Sequence, residues 1–156
     1  MSIKITKTTS LTTDQIEMIC HLWNKEYPKK LAVIPIDFDL YLKASANQTH
    51  YFILENAIDI IGWAYTFDRA DERWISIIID KIHQRKGLGH LLLNLIKEKE
   101  THLSGWVIDH PNDVKENGDP YVSPLPFYIH HGFVAIPQTR LEDDKISAVK
   151  IEWRKG

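Results

Sequence analysis

Trp74-Ile75-Ser76-Ile77-Ile78-Ile79-Asp80-Lys81-Ile82-His83-Gln84-Arg85-Lys86-Gly87-Leu88-Gly89-His90-Leu91-Leu92-Leu93-Asn94-Leu95-Ile96 changes its hydrophobic period midway. Up to Ile79 it is a nearly continuous apolar run, the pattern of a strand buried on both faces. From Gly87 the period is helical. Leu88, Leu91, Leu92, Leu95 and Ile96 share one stripe, while His90, Asn94, Lys97, Glu98 and Thr101 fall elsewhere. Gly105 is placed to stop that helix. A buried strand, a basic glycine turn and an amphipathic helix thus form the unit around which the rest must fold.

The turn from Gln84 to His90 points at an anion of phosphate type. Gly87 and Gly89 let backbone amides approach a ligand closely, and a helix start adds unpaired N–H groups and a positive dipole end. Arg85, Lys86 and His90 add charge at the same spot. A Walker loop needs Gly-x-x-x-x-Gly-Lys followed by Ser or Thr, which the chain lacks. Gly87-x-Gly89, with Asp109 about 20 residues on, imitates the dinucleotide fingerprint. It fails because Leu92 stands where the third glycine belongs, and because Asp80 to Lys86 is too long a loop between strand and first glycine.

Upstream, Ile3 and Ile5 alternate with polar neighbours as a short first strand. Thr12 and Gln15 have capping-box spacing, and Ile16, Ile19, Cys20 and Trp23 then form one apolar helix face that Pro28 ends. Asp37 is placed to cap a shorter helix carrying Phe38, Tyr41 and Leu42. His50 to Glu55 and Ile58 to Asp68 read as a hairpin turning at Asn56-Ala57, and Arg69 to Glu72 turns into the strand that begins at Trp74. Downstream, Trp106 to Ile108 is a short strand and His110 to Ser123 a polar stretch. Phe127 to His131 is a short helix closed by Gly132, and Phe133 to Ile136 and Ile146 to Trp153 are two final strands. Glu142-Asp143-Asp144 between them reads as a solvated hairpin tip rather than a metal site. This order implies an α+β or α/β domain built on one predominantly antiparallel sheet.

At 156 residues the chain is expected to be one domain, 1–156, able to fold without disulfide or metal staples. Its 44% hydrophobic and 26% charged content excludes wholesale disorder. With 19 Lys plus Arg against 21 Asp plus Glu, the net charge of −2 offers no footprint for nucleic acid. A lone cysteine, Cys20, suits a reducing compartment. The start of the chain lacks the apolar core of a signal peptide, and no apolar run approaches the ~20 residues of a membrane helix. A cytoplasmic protein with no membrane partner is the expectation.

Gln84-Arg85-Lys86-Gly87-Leu88-Gly89 satisfies Gln/Arg-x-x-Gly-x-Gly/Ala, and Tyr128-Ile129-His130-His131-Gly132-Phe133 satisfies Tyr-x-x-x-Gly-Phe. In both elements and in their order the chain resembles the GNAT superfamily of acyl-CoA-dependent N-acyltransferases. The likeness in element order covers nearly the whole chain, and likeness in residues covers about 77–92 and 127–133. The resemblance implies an α/β (α+β) fold with a mixed, mostly antiparallel sheet of six to seven strands and about four flanking helices. It implies acetyl-CoA as co-substrate, no metal, and transfer of an acetyl group to a primary amine of a small molecule, peptide or protein. The coenzyme's pyrophosphate would lie on the amides of Arg85 to His90, with Gln84 opening that loop. Its pantetheine arm would pair with the main chain of Ile77, Ile78 and Ile79, where their strand splays from Trp106 to Asp109. A freed backbone donor there would hold the oxyanion of a tetrahedral intermediate, and Tyr128 would protonate the departing thiolate.

The chain departs from the family pattern at three places. Tyr121 stands where an asparagine commonly contacts the cofactor arm, Lys81 replaces a common proline, and no acid in the Trp74–Ile79 strand stands out as general base. Asp68, Glu72, Asp109, His110 and the pair His130-His131 are the alternatives, along with a water relay. The acceptor would meet Trp23 to Ile36 and the 110–123 stretch, which is either a lid or a disordered loop. A non-catalytic acyl-CoA sensor of the same fold is the alternative function. The first and last strands offer edges for a homodimer.

Overall fold

The computed structural model describes residues 2–156. β1 (Ile3–Thr8), α1 (Thr13–Glu26) and α2 (Pro35–Lys43) precede the meander β2 (Ala46–Glu55), β3 (Asp59–Arg69) and β4 (Glu72–Ile79). α3 (Leu88–Lys97), β5 (His102–Ile108), α4 (Leu125–His130), β6 (Val134–Glu142) and β7 (Ser147–Arg154) follow. The seven strands lie in the order β1-β2-β3-β4-β5-β7-β6, and every neighbouring pair is antiparallel except β4 and β5. The result is a mixed α/β fold whose mostly antiparallel sheet is covered by four α-helices.

Local chemistry accounts for the element ends. Thr12 Oγ1 accepts from Gln15 N–H at 3.1 Å and Gln15 Oε1 accepts from Thr12 N–H at 2.9 Å, closing the capping box on α1. The turns into β3 and β4 each place two consecutive residues at positive φ, Asn56 and Ala57, then Ala70 and Asp71. That is the handedness of tight hairpin turns matched to strand twist.

Both faces of the sheet are covered. Ile19, Cys20, Phe38 and Leu42 of α1 and α2 pack on Phe52, Trp63, Tyr65, Trp74 and Ile78. On the other face Leu92, Leu93 and Ile96 of α3 and Tyr128 of α4 pack on Ile53, Ile75, Leu103 and Ile151. The isoleucine strand is thus packed on both sides, although Ile77 and Ile79 are only partly buried.

Several expectations need correcting. Gly105 does not end α3; it lies inside β5, where a Cβ would stand 3.3 Å from Ile151 Cγ1, and close approach of β7 is why glycine fits. The buried stripe of α3 is rotated, so that Leu93 is buried while Leu91 is 48% exposed. Pro35, not Asp37, opens α2. β6 runs to Glu142, and β7 is interior, so the sheet edges are β1 and β6.

Candidate functional site

β4 and β5 share one register pair, Trp74 with Ser104, and then part. β5 continues against β7 from His102–Arg154 to Ile108–Ala148, while β4 stays on β3. Asp80 N–H donates to Ile61 O at 2.8 Å in line with the β3–β4 register. Hydrogen-bonded pairs alternate along an antiparallel ladder, so Ile78 pairs with Trp63 and Ser76 with Tyr65. The peptide groups of Ile77 and Ile79 therefore face the opening between β4 and β5. Gln84 Nε2 already donates to Ile79 O at 2.8 Å, which ties the glycine turn to the end of β4. Of the three isoleucines expected to pair with a ligand arm, Ile78 alone turns its main chain away, toward β3.

The glycine turn stands at the mouth of this gap. Arg85 at φ 62° and Gly87 at φ 79° are left-handed, and Lys86 and Leu88 between and after them are not. Such alternation turns successive N–H groups into an anion-binding concavity. Gly87 is the N-cap of α3 with no side-chain cap, and the first helical bond is Leu91 N–H to Gly87 O at 2.9 Å. The N–H groups of Leu88, Gly89 and His90 consequently have no intrahelical acceptor. Gly89 packs under the Phe127 ring, 3.4 Å from where its Cβ would be. Arg85 and Lys86 are exposed beside these amides.

His90 differs from the expectation. Asn94 Nδ2 donates to its Nε2 at 3.0 Å and its Nδ1 meets His131 Nε2 at 3.1 Å, so both ring nitrogens are engaged and its backbone N–H is what it offers the turn. Burial, then the neighbouring His90, Lys97 and His130, push His131 below the usual imidazole range. His130 is exposed and His131 buried, as adjacent helical positions require.

Tyr128 is buried on the α3 side of the sheet, edge-to-face with Phe127 and with Phe133, each at 5.2 Å. The Tyr-x-x-x-Gly-Phe spacing is a helix ending. Gly132 is left-handed at φ 87°, Phe133 N–H donates back to Tyr128 O at 3.0 Å, and Phe133 packs on the tyrosine it caps. Burial, then the proximity of Tyr27, holds the Tyr128 phenol far above its ordinary range. Tyr27 is the C-cap residue of α1, whose buried face packs on the other side of the sheet. Tyr27 Oη lies 2.9 Å from Ser76 Oγ on β4, and burial pushes its phenol up to about 12. Tyr121, buried, packs edge-on against the partly buried Tyr27 at 6.2 Å, a contact that residue patterns did not reveal.

The carboxylates among the alternatives for a base are otherwise occupied. Asp68 is held by Asn47 and Arg73, and Glu72 by Lys150 and Ser104, both where β4 begins rather than at the opening. Asp109 takes a bidentate pair from Arg140 at 2.9 Å. His110 Nδ1 accepts from Asn112 N–H at 3.1 Å. An open cleft of about 720 Å³ lies near the start of β4, but its Arg73 is bonded to Glu100, Asp68, Thr66 and the Asn47 carbonyl.

The 110–123 stretch is ordered by its partners rather than free. Lys115 Nζ meets Glu26 Oε1 at 2.8 Å, both groups buried, and Glu26 Oε2 accepts from Lys81 N–H at 2.8 Å. Lys29 N–H donates to Val114 O and Lys81 Nζ pairs with Asp119 at 2.9 Å. Glu26 thus joins the end of α1, the polar stretch and the approach to the glycine turn.

Residues 47–135, more than half of the chain, match the acetyltransferase (GNAT) domain family. The chain belongs to the GNAT acetyltransferases. No curated protein matches it. Among solved structures it is similar to the GNAT phosphinothricin acetyltransferase of Sinorhizobium meliloti in complex with acetyl-CoA, at a TM-score of 0.68 and 12% identity over 100% of this chain and 90% of that one. It is similar also to a GNAT acetyltransferase of Streptococcus pneumoniae, at 0.63 and 16% over 99% and 100%. The PaiA N-acetyltransferase of Thermoplasma acidophilum in complex with coenzyme A aligns at 0.62 and 13% over 99% and 100%.

Proposed function

We propose that this chain moves an acetyl group from acetyl-CoA to a primary amine by direct attack. The observation that carries the reading is the gap between β4 and β5 beyond Trp74 and Ser104, with the Ile77 and Ile79 N–H groups facing it from one wall and a helix start without a side-chain cap at its mouth. The coenzyme's diphosphate rests on the amides from Arg85 to His90, with Arg85 and Lys86 adding charge. Its arm pairs with the main chain of Ile79 and Ile77. Ile77 N–H, deeper in the gap, holds the thioester oxygen as it gains charge. The neutral amine nitrogen attacks the carbonyl carbon, the carbon–sulfur bond breaks, the thiolate takes a proton from Tyr128, and the proton shed by the amide nitrogen returns through water to the phenolate. Burial keeps the phenol protonated at neutral pH and so available as a donor, while making it a weaker acid than a free phenol. The complexes of two fold neighbours with acetyl-CoA and coenzyme A support the ligand.

A second reading, an acyl-CoA sensor without catalysis, draws on the engagement of Asp68, Glu72 and Asp109 with other side chains, which leaves none of these carboxylates free as a base. Melting curves with acetyl-CoA at low salt test binding, because a ligand of the native state raises the midpoint. Thiol release across primary amines then separates the two. An unmoved midpoint overturns both readings, whereas binding without thiol release leaves the sensor.

A further inference from the structure

Ser76 is the one polar side chain from Trp74 to Ile79. It pairs with Tyr65, and opposed residues of an antiparallel pair share a face, so its hydroxyl lies on the α1 side of the sheet. Trp74 and Ile78 flank it on that face and are buried, at 6% and 3% exposure, whereas Ser76 is only partly covered. A buried apolar row is thus interrupted by a hydroxyl where β4 begins to leave β5. Packing for stability alone would continue the row, since apolar burial is favourable.

Tyr27 Oη meets Ser76 Oγ at 2.9 Å. Burial pushes that phenol up to about 12, so at neutral pH it keeps its proton and can donate a hydrogen bond to the serine. A serine hydroxyl has one proton to give and two lone pairs, so the bond from Tyr27 leaves Ser76 Oγ a further lone pair. Ser76 directly precedes Ile77, so covalent geometry alone holds Oγ within ~4 Å of the Ile77 nitrogen whose N–H faces the gap. α3 and Tyr128 stand on the opposite side of the sheet. Ser76, Tyr27 and Trp106 stand on the α1 side and are each partly exposed.

We infer that Ser76 Oγ receives an N–H of the attacking amine, with Tyr27 as the positioning residue that turns the serine lone pair toward the gap. The inference rests on the transferase reading, which puts the thioester oxygen on Ile77 N–H and brings the coenzyme from the α3 side, leaving the α1 side to the amine. As the nitrogen attacks it gains positive charge and its N–H becomes a stronger donor, so the bond to Ser76 tightens toward the transition state. No proton changes place in this contact. It fixes which way the nitrogen lone pair points.

The test is thiol release from acetyl-CoA with hydroxylamine, a nucleophile small enough to need no acceptor pocket, compared across variants of the whole chain. Ser76→Val should lower kcat about ten- to hundredfold, the worth of a hydrogen bond to a charged group. Ser76→Thr, of the same shape but with a hydroxyl, should restore most of the loss, and Ser76→Ala should match Ser76→Val. Calorimetric affinity for acetyl-CoA should be the same in all three. Tyr27→Phe should lower kcat by less, and no further in the Ser76→Val background, because it acts through the serine. Equal rates for Ser76→Thr and Ser76→Val, or additive losses with Tyr27→Phe, overturn the inference and leave the transferase standing. A parent chain that releases no thiol above the uncatalysed background overturns the transferase reading, and this inference with it.

Discussion

Tyr128 and His50 are both buried and titratable, and burial keeps each of them neutral. In the proposed reaction the neutral form of Tyr128 is the proton donor, so Tyr128→Phe should lower kcat by roughly 10²–10⁴, the span of a general acid. The acetyl-CoA affinity, measured by titration, should change little, because the ring contacts with Phe127 and Phe133 remain. Unchanged turnover would remove the phenol from the reaction. His50 sits in a stack with Trp63 and Tyr65, accepts from Trp63 Nε1 at 3.1 Å and faces Gln48 Oε1 at 2.9 Å. Burial lowers its pKa from 6.5 to about 4. Between those values the unfolded chain binds the extra proton, so its share of stability is whole above about pH 6.5 and is lost as pH falls toward about 4. Urea midpoints should fall across that window by the equivalent of at most ~3 kcal/mol, and His50→Gln should flatten the slope.

At the scale of elements, the two glycines of the turn have different reasons. Gly87 is left-handed, so Gly87→Ala should cost ~1–2 kcal/mol of stability and weaken acetyl-CoA binding together. A Cβ at Gly89 would touch the Phe127 ring edge at 3.4 Å, an ordinary contact, so Gly89→Ala should leave the urea midpoint and the affinity nearly unchanged. The turn, the capping box and the hairpin turns were legible because each is a contract among residues within six positions. The phase of α3 was not. A leucine-rich helix offers several overlapping stripes, and contact with the sheet and Phe127 chose Leu93 over Leu91. Gly105 misled for the same reason, since glycine answers equally to a helix end and to a close strand, and only the approach of Ile151 decides.

Across the whole molecule, Glu26 holds three segments that are far apart in sequence. Lys115→Met strands half of that buried carboxylate and should cost ~3–5 kcal/mol. Amide exchange at Lys115, Gly118 and Tyr121, whose bonds close the hairpin at 113–121, should quicken more than exchange in β2 or β3. Equal changes everywhere would show that the pair serves the fold and not the hairpin. The residue pattern alone determined a strand, a basic glycine turn and a helix, and with them the family, because short-range periodicity and backbone conformation need no distant partner. It left open which carboxylates and imidazoles are free, that Ile77 and Ile79 rather than Ile78 face the gap, and that Tyr27 meets Ser76 beside it. Those depend on strand register and on contacts between segments up to 89 positions apart, which only the assembled fold brings together.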